Sequence, residues 1–186
     1  MKNYILVLGS LCFISCNPTD SSITENEILW DTYGVPHIYA TSDNDLYFMS
    51  AWGQMKNHGD LILKLYGEAR GTSAEMWGEG FEVNKALHHL GLYGQLQPAY
   101  DKLDPKYQEM LQSFAAGINA YADKHGQELD AKYRKVLPVT PNDIIAHSFR
   151  VVNYEFLIRS TFLSNQKIEG GSNSWALSGS KTSTGN

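Results

Sequence analysis

Hydrophobic and polar residues follow two spacings along this chain, and each spacing predicts a different kind of element. From Glu27 to Ala40, two short apolar stretches flank the four residues Tyr33-Gly34-Val35-Pro36. Glycine and proline at a tight reversal are typical of a β-hairpin, so this stretch predicts a hairpin or a bent pair of strands. His37 lies in the second stretch, and we interpret it as a structural residue rather than a catalytic base.

Helical spacing dominates the next stretch and predicts a long helix from Asp43 to Tyr66. Ser42 or Asp43 can cap its N-terminus. Gly53 and Gly59 interrupt the pattern and predict a bend. The predicted buried face consists of apolar residues at helical intervals: Leu46, Met49, Trp52, Met55, Leu61, Ile62 and Leu65.

A second helix is predicted from Asp104 to Lys124, with Asp104 as the cap and Pro105 at the first helical position. Gly117 lies inside this helix, where glycine costs about 1 kcal/mol relative to alanine. Close packing by a neighbouring element would explain that glycine. The predicted apolar face comprises Tyr107, Met110, Leu111, Phe114, Ile118 and Tyr121.

A third helix is predicted to begin at Thr140, with Pro141 at its first position and Asp143 completing an arrangement like a capping box. Residues 125–138 are interpreted as a charged connection. Residues 81–97 show no clear period, and Pro98 is predicted to end that element. The adjacent pair His88-His89 does not have the spacing of a helical zinc site, so both rings are interpreted as surface or partly buried imidazoles.

The first sixteen residues resemble a bacterial export signal. Lys2 precedes a mostly apolar run, and the small Ser15 stands directly before Cys16. The sequence predicts a signal peptide over residues 1–15, a lipidated N-terminus at Cys16 and a polar tether over residues 16–26. The protein is therefore expected to be an exported, membrane-anchored lipoprotein facing the periplasm or the cell surface. An ordinary cleaved signal or an N-terminal anchor is the alternative.

Composition limits the classes of partner. Both cysteines, Cys12 and Cys16, lie in the signal region, so the mature domain is predicted to have neither a disulfide framework nor a thiolate metal site. The net charge is −5 and basic residues form no run, which argues against a nucleic-acid partner. The chain is 42% hydrophobic, which is compatible with a domain held together by its core.

The last seventeen residues read GGSNSWALSGSKTSTGN and alternate small residues with larger ones. A period of two predicts a short strand with one small-residue face. The alternative is a linker or a frayed tail, because glycine- and serine-rich endings are common there. A strand needs partners, so we expect the chain to be a fragment of a longer protein.

Several motifs carry a resemblance to one family. Gly171-Ser172-Asn173, followed by Trp175-Ala176 and Ser178-Gly179-Ser180, resembles the autoprocessing junction of the penicillin acylase family of N-terminal-nucleophile amidohydrolases. The stretches 33–38, 67–78 and 114–121 resemble other motifs of that family. The run from Pro138 to His147 is similar to the branch that includes aculeacin and acyl-homoserine-lactone acylases. Asn57-His58 is a departure, because many members carry Asp-Arg there.

The resemblance implies an α+β fold, as the N-terminal fragment of an αββα sandwich. Residues 27–171 would form the mainly helical α-subunit and its spacer, and residues 172–186 would supply the first strand of the β-subunit. Cleavage between Gly171 and Ser172 would make Ser172 the nucleophile and the β-subunit a partner of the α-subunit. The fragment alone is expected to be inactive.

The chemistry that this implies for Ser172 is physically reasonable. A serine hydroxyl needs a base, and the freed α-amine of Ser172, with an ordinary pKa of about 7.7–8.0, can supply one. No cofactor is required. The implied substrate is a small-molecule acyl amide, such as one carrying a β-lactam nucleus or an acyl-homoserine lactone. The alternative function is that of an inactive surface lipoprotein that binds a ligand or partner.

The resemblance also implies candidates for the acyl pocket and for a metal. Val152, Asn153, Tyr154 and Phe156 are the candidates for lining the acyl pocket, with ordinary core residues as the alternative interpretation. Some relatives bind calcium through a glutamate late in the α-subunit, and Glu155 is the candidate here. One carboxylate is not a calcium site, since calcium takes about 6–8 oxygen ligands, so the metal stays open.

Overall fold

The computed structural model describes residues 25–153, and it begins with the predicted hairpin. Strand β1 (Glu27–Trp30) pairs antiparallel with β2 (Pro36–Tyr39), with Glu27 opposite Tyr39 and Trp30 opposite Pro36. The Asp31 carboxylate closes the turn by accepting hydrogen bonds from the backbone N–H groups of Tyr33 and Val35, at 2.8 and 2.9 Å. These bonds, led by the one from Val35, lower the pKa of Asp31. The predicted hairpin is therefore confirmed.

Helix α1 (Asp43–Ala69) follows and extends three residues beyond its predicted end. Ser42 caps it, because its Oγ accepts a hydrogen bond from the Asp45 N–H at 3.1 Å. His58 leaves the helical conformation, with φ −142° and ψ 29°, so the predicted bend lies directly before Gly59.

The predicted buried face of α1 is partly wrong. Leu46 and Leu61 are 40% and 53% exposed, whereas Leu63, which the pattern omitted, is fully buried. After the bend the core side of the helix runs through Gly59, Leu63 and Gly67 at intervals of four residues, so Leu61 turns outward.

Helix α5 (Pro105–His125) packs along α1 and begins at the predicted Asp104 cap, whose carboxylate accepts from the Lys106 N–H at 2.9 Å. Gly117 meets the backbone of α1. A Cβ built there would overlap the Phe48 carbonyl oxygen and would lie 3.0 Å from the Ala51 Cβ. The main core lies between these helices and includes Ala51, Met55, Leu63, Tyr66, Ala115, Ile118, Tyr121, Leu129, Val136 and Val139.

The region between the two long helices contains α2 (Ser73–Trp77), α3 (Phe81–Leu90), a 3₁₀ turn (Tyr93–Gln95) and α4 (Leu96–Tyr100). The prediction that Pro98 ends the element beginning at Phe81 is wrong. Helix α3 ends at Leu90, because Gly91 takes a left-handed conformation with φ +62° and closes the helix. Pro98 instead lies within the first turn of α4, where a missing N–H costs nothing.

The predicted charged connection contains two 3₁₀ turns, Gly126–Glu128 and Tyr133–Val136. Val136 is fully buried, and its Cγ2 lies 3.0 Å from the position a Cβ would take on Gly67 of α1. Helix α6 (Pro141–Phe149) then begins at Thr140 with the predicted proline and capping aspartate. At residues 150–153 the helix widens into a π turn.

The described residues are thus mainly helical with a two-stranded sheet, which confirms the predicted α+β class at that level. The predicted β-subunit strand from Ser172 lies outside the described residues. Within residues 25–153, no helix combines the length and the apolar character needed to cross a membrane.

Candidate functional site

The last turn of α1 holds both ends of α6 through ion pairs. At the start of α6, Arg70 Nε and Nη2 donate to the two carboxylate oxygens of Asp143, at 2.6 and 2.8 Å. The Asp143 carboxylate is fully buried and also accepts from the Thr140 N–H and hydroxyl, at 2.7 and 2.8 Å. The hydrogen bonds to Asp143 raise the pKa of Arg70.

At the far end of α6, Arg150 Nη2 donates to Glu68 Oε2 at 2.8 Å. The Arg150 side chain is 11% exposed and that of Glu68 is 21% exposed, so the pair is largely shielded from water. The other oxygen of Glu68, Oε1, lies 3.9 Å from Lys64 Nζ, and Lys64 is more exposed. The half-buried carboxylate of Glu68 therefore contacts the residue at which α6 becomes the wider turn.

Between the two pairs, His147 and Tyr66 meet edge to face, with ring centroids 5.8 Å apart. The His147 Nδ1 atom is buried and has no hydrogen-bond partner among residues 25–153. Burial lowers the pKa of His147, and the nearby Arg150 charge lowers it further. Burial raises the pKa of Tyr66 to about 12, with a contribution from Asp143. This interface therefore favours a neutral imidazole and a neutral phenol.

Two of the predicted acyl-pocket residues lie directly after this anchored segment. Val152 is 55% exposed, and Asn153 Nδ2 donates to the Phe149 carbonyl at 3.1 Å. Among residues 25–153, Val152 is thus not part of the core, and its assignment to an acyl pocket stays a prediction. The remaining candidates lie outside those residues: Tyr154, Glu155, Phe156, Gly171, Ser172 and Cys16.

The structure shows no assembled catalytic or metal centre in the part of the chain that it describes. Residues 25–153 contain no group of three or more histidine, cysteine, aspartate or glutamate side chains placed to hold a metal ion. His88 Nε2 contacts the Gly71 carbonyl at 3.0 Å and His89 Nδ1 contacts the Lys85 carbonyl at 3.0 Å, which confirms that these rings lie at the surface in structural contacts.

The hollow beside Arg70 and the hollow at the bend of α1 are not lined by Val152 or Asn153. A cavity of about 70 Å³ lies beside Arg70, His88 and Tyr93. A polar groove of about 370 Å³ opens at the bend of α1, where Asn57 Nδ2 donates to the Gly34 carbonyl at 3.4 Å. Its lining includes Lys56, His58, Asp60, Tyr121, Glu128 and Leu129.

Sequence reasoning missed the roles of Glu68, Arg70 and Arg150. The sequence predicts Asp143 only as a helix cap, although its main partner is an arginine 73 positions earlier in the chain. Arg150 carries a charge and lies on the same side of α6 as the buried residues Ala146 and Asp143. A charged residue at that helical position indicates a buried partner. The identity of the partner depends on how α1 and α6 cross.

Comparison with known proteins gives consistent matches. A family model described as penicillin amidase matches residues 25–186. Penicillin G acylase from Escherichia coli is 27% identical over 106 residues, which cover 56% of this chain and 12% of that protein. The chain thus spans about an eighth of that relative's length. The solved structure of a thermostable penicillin G acylase from Alcaligenes faecalis superposes with a TM-score of 0.58 at 20% identity, covering 78% of this chain and 77% of that chain.

Proposed function

The chain belongs to the penicillin amidase family, and from this premise we propose that it is the N-terminal part of an acylase precursor that hydrolyses linear amides. The observation that carries the proposal is the extent of the family match, which runs from residue 25 to residue 186 and so includes both the helical unit and the Gly171-Ser172 bond. The similarity to the two penicillin G acylases supports the same class of chemistry.

The proposed maturation uses the Ser172 hydroxyl. Its oxygen attacks the Gly171 carbonyl, the peptide C–N bond breaks, and the amine leaves as the new N-terminus while an ester joins Gly171 to the serine oxygen. Water then hydrolyses this ester and releases the Gly171 carboxylate. The product is a residue that carries both a nucleophile and a free α-amine, which removes the need for a separate histidine base.

In the mature enzyme, the same oxygen attacks the carbonyl of the substrate amide. The α-amine of Ser172 takes the hydroxyl proton, directly or through one water, and returns a proton to the leaving amine. An acyl ester of Ser172 forms and a water molecule hydrolyses it. The substrate that we propose is an acyl group joined to a small polar amine, such as a β-lactam nucleus or an acyl-homoserine lactone.

We assign the binding of the substrate's acyl group to the segment that follows α6. Val152 offers an exposed apolar side chain next to Asn153, and Tyr154 and Phe156 follow in sequence. An apolar pocket with a few polar groups is the usual form of a small-molecule site. The β-subunit beginning at Ser172 would complete the pocket and supply the remaining catalytic groups.

The proposed cellular location follows from the first sixteen residues, and the metal stays open. We propose export through the signal at residues 1–15 and anchoring through lipidated Cys16, so that the enzyme faces the periplasm or the cell surface. The reaction needs no cofactor. A calcium site at Glu155 stays a prediction, because Glu155 lies outside the described residues. The alternative of an inactive binding lipoprotein is not favoured, since both relatives named above are acylases.

The decisive experiment compares two serines of the same predicted strand in the full-length precursor. Ser172→Ala should leave a single uncut chain without hydrolytic activity, because no hydroxyl is present to attack Gly171. Ser174→Ala, two residues later on the same side of the strand, should be cut normally. Intact-mass spectrometry and N-terminal sequencing of the β-subunit measure both outcomes.

Two results would contradict this proposal. The first is a wild-type protein that hydrolyses acyl amides as one uncut chain. The second is a Ser172→Ala variant that is still cleaved between residues 171 and 172. Assays with phenylacetyl and octanoyl p-nitroanilide on the wild-type protein test the proposed reaction at the same time.

A further inference from the structure

The two ion pairs between α1 and α6 have opposite polarity. At the end of α1, Glu68 is negative and the cap residue Arg70 is positive. On α6, Asp143 near the start is negative, and the cap residue Arg150 at the end is positive. The observed arrangement joins each acid to a base. Exchanging the partners would place Glu68 against Asp143 and Arg70 against Arg150, which is a juxtaposition of like charges in a partly buried interface. Such pairs contribute more to orientation than to net stability.

Arg150 is the last buried residue among residues 25–153. It is 9% exposed, whereas Phe149 before it is 37% exposed and Val152 after it is 55% exposed. Its backbone N–H is shared between the carbonyls of Ala146 and His147, at the point where the α-helical pattern gives way to the wider π turn. Turns of this kind occur frequently at functional sites. The Glu68 contact therefore fixes the helix at the residue where its side-chain directions change.

We propose that Glu68 is a positioning residue that, through Arg150, orients the π turn and so presents Val152 and Asn153 to the acyl group of the substrate. Glu68 does not touch the substrate. This inference rests on the proposed function, because it assigns Val152 and Asn153 to the acyl pocket. It adds a residue from α1, more than eighty positions earlier in the chain, that determines how well that pocket binds.

The test is Glu68→Gln in the full-length protein, which keeps the shape of the side chain but removes its charge. The matched control is Lys64→Gln, which removes the exposed partner of the same carboxylate and leaves the Arg150 contact intact. For octanoyl p-nitroanilide we expect Glu68→Gln to raise KM about tenfold, with kcat changed by less than about twofold. We expect Lys64→Gln to change both constants by less than about twofold.

Comparing Glu68→Gln with Asp143→Asn distinguishes a positioning role of Glu68 from a general loss of stability. Asp143→Asn weakens the other ion pair of the same interface, which lies at the opposite end of α6 from Val152. It should lower the thermal unfolding midpoint while KM stays near the wild-type value. If Asp143→Asn raises KM as much as Glu68→Gln does, the positioning role of Glu68 is overturned. Arg150→Lys, which keeps the positive charge, should give an intermediate KM and serves if Glu68→Gln fails to fold.

Amide hydrogen exchange keeps this test independent of the proposed reaction. Peptides covering residues 149–153 should exchange faster in Glu68→Gln than in Lys64→Gln, because the ionic contact between Glu68 and Arg150 is lost. Unchanged exchange in Glu68→Gln overturns the inference whether or not the protein is active. If the wild-type protein hydrolyses no acyl amide, the proposed function fails, and with it the assignment of Val152 and Asn153 to an acyl pocket.

Discussion

At Gly117, the absence of one side-chain carbon determines how closely two helices approach each other. The sequence shows a glycine inside a strong helix, and the cost of that glycine predicted a close neighbour. The structure confirms the prediction and identifies the neighbour as the Phe48 backbone of α1. The burial of Leu63 could not be predicted in this way. It depends on the bend at His58, and the helical spacing of apolar residues does not give the angle of a bend.

Gly117→Ala should destabilise the protein by about 1–3 kcal/mol, because the added carbon overlaps backbone atoms that cannot rotate away. The better helix propensity of alanine offsets only about 1 kcal/mol of this loss. The control is Gly94→Ala, since nothing lies within 4 Å of a Cβ at Gly94. Thermal unfolding of the two variants measures the difference. An unchanged or raised midpoint for Gly117→Ala would show that the helices can separate at no cost.

At the scale of elements, the local signals in the sequence were reliable. The caps at Ser42, Asp104 and Thr140 lie where the sequence predicted them, because capping involves residues only two or three positions apart. The end of α3 was missed because Gly91, and not the more conspicuous Pro98, closes that helix. The pairing of α6 with α1 could not be predicted, since Glu68 and Arg150 are far apart in sequence and meet only through the packing of the whole unit.

The α1–α6 interface should weaken in acid because of His147. Its pKa in the folded protein lies below the ordinary value of 6.5, so the unfolded chain binds the proton more readily. The stabilising contribution of the neutral ring is complete above about pH 6.5 and declines as the pH falls from there towards the folded-state pKa. His147→Phe should therefore flatten the fall in thermal midpoint between pH 7 and pH 5.

The control for this prediction is Ser148→Ala, which alters the neighbouring position of the same helix without removing a titrating group. Its midpoint should fall with pH as steeply as that of the wild-type protein. A His147→Phe curve parallel to the wild-type curve would mean that protonation of His147 does not contribute to the acid sensitivity.

At the scale of the whole molecule, the described unit presents a hairpin and a helical layer, and the proposed reaction depends on residues beyond it. The family could be predicted from short motifs such as 114–121, and the family model that matches residues 25–186 agrees with that prediction. For the candidate site, the sequence predicted individual residues but not how they are placed relative to one another. Val152 and Asn153 are placed by α6, whereas the position of Ser172 relative to them depends on chain outside the described residues.

If Ser172 acts as proposed, kcat/KM should rise with pH and level off above a midpoint of about 7.7–8.0, the ordinary pKa range of an α-amine. Only the deprotonated amine of Ser172 can accept the hydroxyl proton, so activity is lost as the pH falls below that midpoint. Initial rates with phenylacetyl p-nitroanilide from pH 5 to pH 9 measure the profile, with Ser174→Ala as the control. A profile that falls across this range would rule out the amine as the base.

The π turn at residues 150–153 has a consequence for which deletions the chain tolerates. A π turn holds about one residue more per turn than an α-helix, so loss of a single residue here would restore ordinary helical winding. Because the wide turn already takes up that extra residue, the helical faces on its two sides would keep nearly the same direction, whereas the same loss from a regular α-helix rotates the following side chains by about 100°. A one-residue deletion within residues 150–153 should therefore disturb the packing of α6 less than a deletion inside Pro141–Phe149.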